Sequence, residues 1–189
     1  MTSDALSGGF ADAPRDAARS FRAVLNALAR PGRIEALSGA VPPAPLSVAA
    51  GTLLLTLADG TTPVHLAPSH DRAEVREWLA FHCGSPLVGA EEAVFAVGTW
   101  GALAPVSRFA IGTAEYPDRA ATLIVEMDGL EPATARLTGP GIRDEASLRL
   151  PEVAGFAGNG AQFPLGFDCY LTAGDRVAGL PRSTKVEAL

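Results

Sequence analysis

Residues 167–180 predict a β-hairpin, so any fold proposed for this chain must contain a sheet. The first half of this segment alternates β-forming side chains, with Phe167, Cys169 and Leu171 on one face and the intervening residues on the other. Gly174, followed by an aspartate, supplies the turn, because glycine tolerates left-handed backbone and aspartate can hydrogen-bond its own main chain. The second half then returns alongside the first.

A polar tail follows the hairpin. Pro181 ends the pairing because it has no N–H to donate, and residues 182–185 are all polar. The simplest interpretation is an exposed exit from the sheet, and the alternative is a surface that contacts something charged. The guanidinium of Arg182 suits bidentate capture of a carboxylate or phosphate. Since a strand of roughly five residues, or ~16 Å at ~3.3 Å per residue, separates Asp175 from Arg182, we expect Arg182 to find its partner on another element or another chain.

Helical and strand patterns alternate through the rest of the chain. The clearest helix spans 13–30, has one apolar face, and is bounded by Asp12 as N-cap and a Pro-Gly stop. Residues 46–57 are apolar nearly all round and favour a buried helix over a buried strand, and 71–83 predicts an amphipathic helix. The other predicted elements are strands at 34–37, 64–67, 93–97, 122–127 and 135–138 and a short helix within 148–160, while 98–112 is ambiguous.

Length and composition indicate one globular domain. The chain has 189 residues, of which 48% are hydrophobic and 19% charged, and we find no repeat, low-complexity linker or break in composition. We therefore expect a single α/β domain over residues 1–189, with a mixed β-sheet flanked by helices. The high apolar fraction also predicts that some apolar surface is covered by a second copy, which makes a homodimer.

Charge and cysteine content narrow the functional classes. The net charge of −6 argues against general nucleic-acid binding, and no apolar run approaches the ~20 residues of a membrane span. The first ten residues carry no early positive charge and no apolar stretch, so we expect no secretory signal. Two cysteines in a chain of this length are typical of reduced thiols. Together these features predict a cytoplasmic protein.

No metal or nucleotide motif is recognisable. The potential ligands are His65, His70, His82, Cys83 and Cys169. Neighbouring residues on a helix do not face one site, and the usual zinc spacings are absent, so we expect no metal. The only lysine, Lys185, does not follow a glycine, which excludes a Walker-type phosphate loop. The turn at 139–141, Gly-Pro-Gly, could expose amides to an anion, but such a sequence is more often only a turn.

Nucleophilic catalysis has no sequence signature either. The chain contains no G-x-S-x-G elbow, and neither cysteine has an activating context. Cys169 is most simply a small buried apolar residue. A serine could still meet one of the three histidines in space, and the sequence leaves this open. We therefore assign no catalytic residue.

A polar loop at 112–122 is the last candidate for recognition. Tyr116, Asp118 and Arg119 surround Pro117 just before the 122–127 strand. This is ordinary turn chemistry. The functional interpretation is a recognition surface, because tyrosine and arginine are enriched among interface anchors.

Four segments together resemble the PhnH family, the H subunits of the bacterial carbon–phosphorus lyase system. They are the GGF opening with its Arg- and Ala-rich helix and ARPGR stop, the GTAEYPDRAAT loop, the LTGPGI run, and the C-terminal GFDCYLTAGDRVAGLPRSTKV. They occur in the family's order between residues 8 and 186. The tail departs at Arg-Ser-Thr-Lys, where many members have Arg-Thr-Thr-Arg, so the contact chemistry of residues 183 and 185 is open.

The resemblance implies an accessory subunit of a complex that breaks down organophosphonates. That complex couples a phosphonate to the ribose C1 of ATP, displaces adenine, and forms a ribose 1-phosphonate 5-triphosphate. In the family the H subunit is a homodimer that assembles with the G, I and J subunits, and chemistry is assigned to I and J. The fold is related to that of pyridoxal-phosphate transferases, but with Lys185 as the sole lysine we expect no such cofactor here.

These observations define the candidate interface or ligand residues and one alternative function. The candidates are Tyr116, Asp118, Arg119, Asp175, Arg182 and Thr184. The alternative, from a different class, is a free-standing small-molecule enzyme whose pocket is lined by Asp175, Arg182 and Tyr116.

Overall fold

The structure is a computed structural model that describes residues 7–189. Residues 1–6, part of the segment in which we expect no secretory signal, lie outside the described residues. The helices are α1 (Ala13–Ala29), α2 (Val48–Leu57), α3 (Ala73–His82), α4 (Trp100–Leu103) and α5 (Val153–Gly160). The strands are β1 (Ile34–Ala36), β2 (Val64–Leu66), β3 (Phe95–Thr99), β4 (Thr122–Glu126), β5 (Ala135–Thr138), β6 (Ala146–Leu148), β7 (Asp168–Ala173), β8 (Arg176–Leu180) and β9 (Lys185–Ala188).

A mixed six-stranded sheet dominates the fold, as predicted. Its order is β1-β8-β7-β4-β3-β2. Strands β2, β3, β4 and β7 run parallel, whereas β8 is antiparallel to β7 and β1 is antiparallel to β8. The carboxyl ends of the four parallel strands therefore meet at one edge of the sheet. In α/β proteins this edge is the usual place for ligands.

Side chains on the two faces of this sheet belong to two hydrophobic cores. Tyr170 of β7 and Ile124 of β4 pack in the core beneath α1, α2 and α3. Cys169 and Leu171 point the other way, toward a core that includes Leu137 of β5 and residues of α5. The alternation predicted for the hairpin is confirmed, and both of its faces are buried.

The segment 46–57 shows how an all-apolar run becomes a helix. Ser47 caps α2 by accepting a hydrogen bond from the amide of Ala50 (3.1 Å), and six consecutive residues from Ala49 to Leu54 are buried. A helix surrounded by protein needs no polar face, so the absence of amphipathic periodicity is explained by burial. Among residues 7–189, no helix combines the length and the apolar character needed to span a bilayer.

The polar tail is not the exposed exit that we expected. After Pro181 a tight turn, closed by the amide of Thr184 on the carbonyl of Pro181 (2.9 Å), leads directly into β9. Strand β9 pairs antiparallel with β5 in a second sheet of order β6-β5-β9. Only Val186 of this strand is buried, so its sequence carries little strand signal. The tail is therefore part of the fold.

Helix α1 rests directly on β8 at a glycine. A Cβ atom built on Gly179 would lie 2.6 Å from both the Cα and the N of Leu28, which are backbone atoms of α1. Contacts under 3.0 Å require a shift, and backbone atoms of a packed helix cannot rotate away as a side chain can. Gly179 is thus required for the close approach of helix and sheet.

We expect Gly179→Ala to lower the free energy of unfolding by about 2 kcal/mol, because it overpacks the contact between α1 and β8. Urea denaturation followed by circular dichroism measures this. The matched control is Gly158→Ala in α5, where an added Cβ meets nothing within 4 Å. That change should be neutral or stabilise by up to about 1 kcal/mol. Equal stability of the two variants would contradict the tight packing.

Candidate functional site

Arg182 is anchored within its own chain by Asp168, the first residue of β7. Its Nε and Nη2 donate to the two carboxylate oxygens of Asp168 at 3.1 and 2.6 Å, and its backbone N–H donates to the same carboxylate at 2.9 Å. Nη1 donates to the carbonyl oxygen of Pro117 at 2.6 Å. The side chains are 11% and 22% exposed. This is a bidentate, partly buried ion pair, and the partner predicted on another element is found.

The register of the hairpin explains this pairing. Cys169 is opposite Leu180, so the residue before Cys169 and the residues after Leu180 leave the ladder at the same end. Pro181 then turns the backbone, and Arg182 reaches Asp168 across that end. Asp175 lies in the turn at the opposite end, where its carbonyl accepts from the amide of Leu37 (2.8 Å). Asp175 therefore does not lie beside Arg182 and Tyr116. The pocket hypothesised for a free-standing enzyme is not formed by these three residues within one chain.

The loop before β4 lies against the same arginine. Residues Pro117–Arg119 form a single 3₁₀ turn, and the guanidinium of Arg119 lies over the ring of Tyr116 at 4.1 Å. Gly112 has φ +78°, and a Cβ there would lie 2.7 Å from the carbonyl oxygen of Pro117. Glycine is thus needed for the loop to fold back. Arg182 links this loop to the end of the hairpin through Pro117.

A surface pocket of about 340 Å³ opens beside this clamp. We call it the Arg182 pocket, and it is lined by Pro117, Asp118, Phe163, Pro164, Asp168, Pro181, Arg182 and Ser183. Phe163 is 60% exposed, and the neighbouring Tyr116 is 47% exposed. Large exposed aromatic side chains beside a rigid arginine are typical of interface anchors. The pocket therefore combines exposed aromatic area with an arginine that is held in place by its own chain.

The candidate residues thus divide into groups. Asp118 and Arg182 line the Arg182 pocket, and Tyr116 and Arg119 belong to the loop that forms its wall. Thr184 is the residue whose amide closes the turn after Pro181, and it is buried, with its Oγ1 lacking a hydrogen-bond partner in the described part of the chain. It is not a surface residue. The sequence did not indicate Phe163, because a lone phenylalanine carries no pattern.

A second polar cluster lies at the carboxyl ends of the parallel strands. Glu126, the last residue of β4, accepts hydrogen bonds from the amide of Ser47 at 2.7 Å and from the hydroxyl of Thr172 at 3.0 Å. Nε2 of His70 lies 3.9 Å from Oε1 of Glu126. Nδ1 of His70 is hydrogen-bonded to Oγ of Ser69 at 2.9 Å. A serine does meet a histidine here, but His70 and Glu126 are almost fully buried.

Burial sets the protonation of this cluster. It raises the pKa of Glu126, although the hydrogen bonds from Ser47 and Thr172 oppose the shift. It also lowers the pKa of His70, although a hydrogen bond with the backbone of Pro45 opposes that shift, and the positive charge of Arg72 adds to it. Both shifts disfavour the charged forms, as expected when ionisable groups leave water.

The other potential metal ligands and nucleophiles are scattered. Among residues 7–189 no group of three or more His, Cys, Asp or Glu side chains could hold a metal ion. His82 is a partly buried residue on α3, with Nε2 hydrogen-bonded to the carbonyl of Ser7 at 3.0 Å. Burial raises the pKa of the Cys83 thiol to about 12 and also raises that of Cys169, so neither is an activated thiolate. Cys169 is a fully buried core residue, as predicted.

The Gly-Pro-Gly sequence is a structural turn. The amide of Ile142 closes it on the carbonyl of Gly139 at 3.1 Å. Gly141 has φ +83°, and a Cβ there would lie 2.1 Å from the carbonyl oxygen of Ala29 at the end of α1. The glycine is therefore explained by packing.

The geometry defines a mixed α/β protein in which a partly buried arginine, clamped by Asp168 and the carbonyl of Pro117, lies beside a surface pocket. Residues 8–187 match the family model described as bacterial phosphonate metabolism protein (PhnH), and the chain belongs to this family. The resemblance inferred from four segments is thereby confirmed.

Two curated relatives match over nearly their whole length. One is the alpha-D-ribose 1-methylphosphonate 5-triphosphate synthase subunit PhnH of Rhizobium meliloti (strain 1021), 44% identical over 196 residues, with 98% of this chain and 97% of the relative covered. The other is the putative C-P lyase subunit protein HtxG of Stutzerimonas stutzeri, 33% identical over 200 residues, with 94% of each chain covered. Both relatives are subunits of larger assemblies by name.

Proposed function

We propose that this chain is an accessory subunit of a carbon–phosphorus lyase core complex that acts in organophosphonate catabolism. The observation that carries the proposal is the 44% identity, over 98% of the chain, to a synthase subunit. The whole complex would form ribose 1-phosphonate 5-triphosphate from ATP and a phosphonate. We assign this chain a place in the assembly, as one domain over residues 1–189, and no catalytic residue, metal or cofactor of its own.

The proposed partners are the G, I and J subunits, with a second copy of this chain as homodimer partner, in the cytoplasm. Growth tests this role directly. In a bacterium that carries the corresponding gene cluster, deletion of this gene should abolish growth on methylphosphonate as sole phosphorus source and leave growth on inorganic phosphate unchanged. The wild-type gene should restore growth. Undiminished growth of the deletion strain on methylphosphonate would refute the role.

We further propose that the Arg182 pocket is a contact surface for another subunit. The clamp holds Pro117 and Pro181 rigidly, so binding orders few side chains that were mobile before. Phe163 and Tyr116 offer exposed aromatic area beside it. Aromatic anchors that become desolvated on binding account for much of the affinity of protein interfaces.

Phe163→Ser should weaken capture of the partner subunits by about 10- to 100-fold, because truncation of a central aromatic anchor costs roughly 2 kcal/mol or more. Pull-down from cells that co-express the G, I and J subunits measures this. Phe81→Ser is the matched control, since Phe81 is 51% exposed but lies on α3, which packs in the other hydrophobic core from α5, the helix that precedes Phe163. Equal capture by both variants and wild type would remove the pocket from the interface.

A further inference from the structure

One edge of the main sheet ends in an open strand. Strand β1 is the last strand of this sheet and, among the described residues, pairs only with β8. The opposite edge, at β2, is covered by a bridge between Val64 and Leu87, whereas no such bridge covers β1 within residues 7–189. An edge strand with free backbone groups is a template for pairing with another chain.

The hydrogen-bond pattern shows which groups of β1 face outward. Leu37 continues the register of β1 opposite Asp175, and its amide binds the Asp175 carbonyl at 2.8 Å. In an antiparallel pair, hydrogen-bonded and non-hydrogen-bonded positions alternate. Glu35 therefore bonds to β8, and the N–H and C=O groups of Ile34 and Ala36 point toward the open edge.

Helix α1 carries large apolar side chains that its own chain leaves uncovered. Phe21 and Leu25, one helical turn apart, are 51% and 54% exposed. The positions that α1 buries are the smaller Ser20, Val24 and Ala27. Part of the apolar face predicted for this helix is therefore in solvent, which is typical of a surface that meets a partner.

The exposed apolar side chains lie on the β1 side of the helix. Helix α1 packs on β8 and β1, whereas its neighbour α2 packs on β7. Asp16 faces Gly39, whose loop is fastened to α2 by the amide of Ala40 on Oγ1 of Thr52 at 3.3 Å. Leu25 follows Asp16 by nine residues, or about two and a half turns, so it points away from α2.

The strand carries charges that complement those of an inverted copy of itself. Glu35 is opposite Val177, which lies in the core beneath α1, so Arg33 and Glu35 are on the α1 face of the sheet. An antiparallel pair of two β1 strands, centred on Ile34, places each Arg33 opposite the Glu35 of the other copy. Opposite charges at facing positions stabilise a sheet.

The same charges disfavour the other registers. Pairing centred on Glu35 sets two carboxylates opposite each other, and pairing centred on Arg33 sets two guanidinium groups opposite each other. Like charges at such positions are destabilising. Pairing centred on Ala36 leaves both charges opposite uncharged residues. The register centred on Ile34 is thus favoured, and in it the outward N–H and C=O of Ile34 bond to those of its copy.

This arrangement also brings the two apolar stripes together. Neighbouring strands are ~4.8 Å apart, and α1 rests on both β1 and β8, so its axis lies about half a strand spacing inside β1. Two α1 helices are then about 10 Å apart across the two-fold axis, and packed helices are separated by about 8–10 Å. Phe21 and Leu25 of each copy therefore fill the space between the helices.

We propose that a second copy of this chain docks along β1, with the two strands antiparallel about Ile34 and the two α1 helices packed above them. A two-fold interface uses the same surface on both copies, so this surface must be complementary to itself. The charges of Arg33 and Glu35 and the outward backbone groups of β1 meet that condition. The inference rests on the homodimer proposed above and adds the surface that forms it.

Charge exchange between two variants tests this surface. Dissociation constants of the dimer are measured by analytical ultracentrifugation for wild type, Arg33→Glu, Glu35→Arg and an equimolar mixture of the two variants. Each variant by itself should dissociate at least about tenfold more readily, because both symmetry-related pairs become repulsive. The mixture should dimerise like the wild type, since each glutamate then faces an arginine of the other chain.

The mixture separates pairing between chains from pairing within one chain. Arg33 and Glu35 also form an ion pair within each copy, with Nε 2.7 Å from Oε1. That internal pair stays lost in both variants after mixing, because one chain holds two acidic residues and the other holds two arginines. Recovery of the dimer in the mixture therefore reports contacts across the interface.

Phe21→Ser measures the contribution of the helices. The substitution should raise the dissociation constant of the dimer by about tenfold or more, because an aromatic side chain buried between the copies is lost. Phe81→Ser is the matched control, since Phe81 is equally exposed, at 51%, but lies on α3, which follows the strand at the opposite edge of the sheet. The control should dimerise like the wild type.

Hydrogen exchange on the wild-type protein gives an independent result. The Ile34 amide should exchange more slowly as the protein concentration rises through the dissociation constant, whereas the Glu35 amide, bonded to β8, should not respond. A wild type that is monomeric at micromolar concentration, single variants that dimerise normally, or a mixture that does not recover would overturn this surface. Capture by the G, I and J subunits tests the subunit role separately, and a monomeric variant that is still captured leaves that role intact.

Discussion

We expect Arg182→Ala to lower the free energy of unfolding by about 2–3 kcal/mol. The substitution removes three side-chain hydrogen bonds and leaves the carboxylate of Asp168, 22% exposed, without its countercharge. Breaking a buried ion pair from one side costs roughly 3–5 kcal/mol, and partial exposure reduces this. Thermal and urea denaturation measure the loss. The backbone N–H of Arg182, which also binds Asp168, remains in the variant.

Arg176→Ala is the control for this prediction. Arg176 is an exposed arginine at the start of β8, the strand that ends just before Pro181. Its removal should change stability by less than about 0.5 kcal/mol, as exposed substitutions usually do. If both arginine variants unfold like the wild type, the Arg182 clamp contributes nothing to the fold, and its guanidinium is free to bind a partner.

We expect Asn159→Ala to lower the free energy of unfolding by about 3 kcal/mol, about as much as Arg182→Ala. Asn159 lies on α5, is 5% exposed, and binds both backbone groups of Phe167, its Nδ2 donating to the carbonyl and its Oδ1 accepting from the amide, each at 2.9 Å. Alanine leaves two buried backbone groups unpaired, at about 1–3 kcal/mol each. The chain enters β7 through Phe167, so the clamp next to it should loosen as well.

Gln162→Ala serves as the control for the loss of an amide. Gln162 is exposed just beyond α5, and its Nε2 reaches only the carbonyl of Gly158 at 3.5 Å. We expect the free energy of unfolding of Gln162→Ala to lie within about 0.5 kcal/mol of the wild-type value. Asn159→Asp distinguishes the two bonds, because it keeps the acceptor for the Phe167 amide and removes the donor to the carbonyl. Equal melting temperatures of Asn159→Ala and Gln162→Ala would contradict the proposed role of Asn159.

The sequence predicts those elements whose cause is local. Helix α1 has its cap, its proline in the first turn and its Pro-Gly stop within one short segment, and it forms at Ala13–Ala29. The β7–β8 hairpin is set by alternation and by Gly174 at φ +59°. In both, the residues that determine the structure are neighbours in the chain. Such elements can therefore be predicted without knowledge of the tertiary fold.

The parts that sequence reasoning missed depend on distant partners. Strand β9 forms because β5, about fifty residues earlier, offers an unpaired edge, and only Val186 marks it as a strand. Arg182 is buried by a loop some 65 residues away. The approach of His70 to within 3.9 Å of Glu126 requires the parallel order of β2, β3 and β4. The order of residues along a short segment cannot predict such contacts, because they depend on how distant strands and loops are arranged in the fold.

The most direct test of the central claim is the composition of the purified assembly. The tagged chain is co-expressed with the G, I and J subunits, purified through its tag, and its mass and stoichiometry are determined by size-exclusion chromatography with light scattering and native mass spectrometry. The account predicts a single multi-subunit particle that contains this chain together with the other subunits. Elution of this chain by itself, folded and separate from co-expressed G, I and J, would contradict its role as a subunit of the complex.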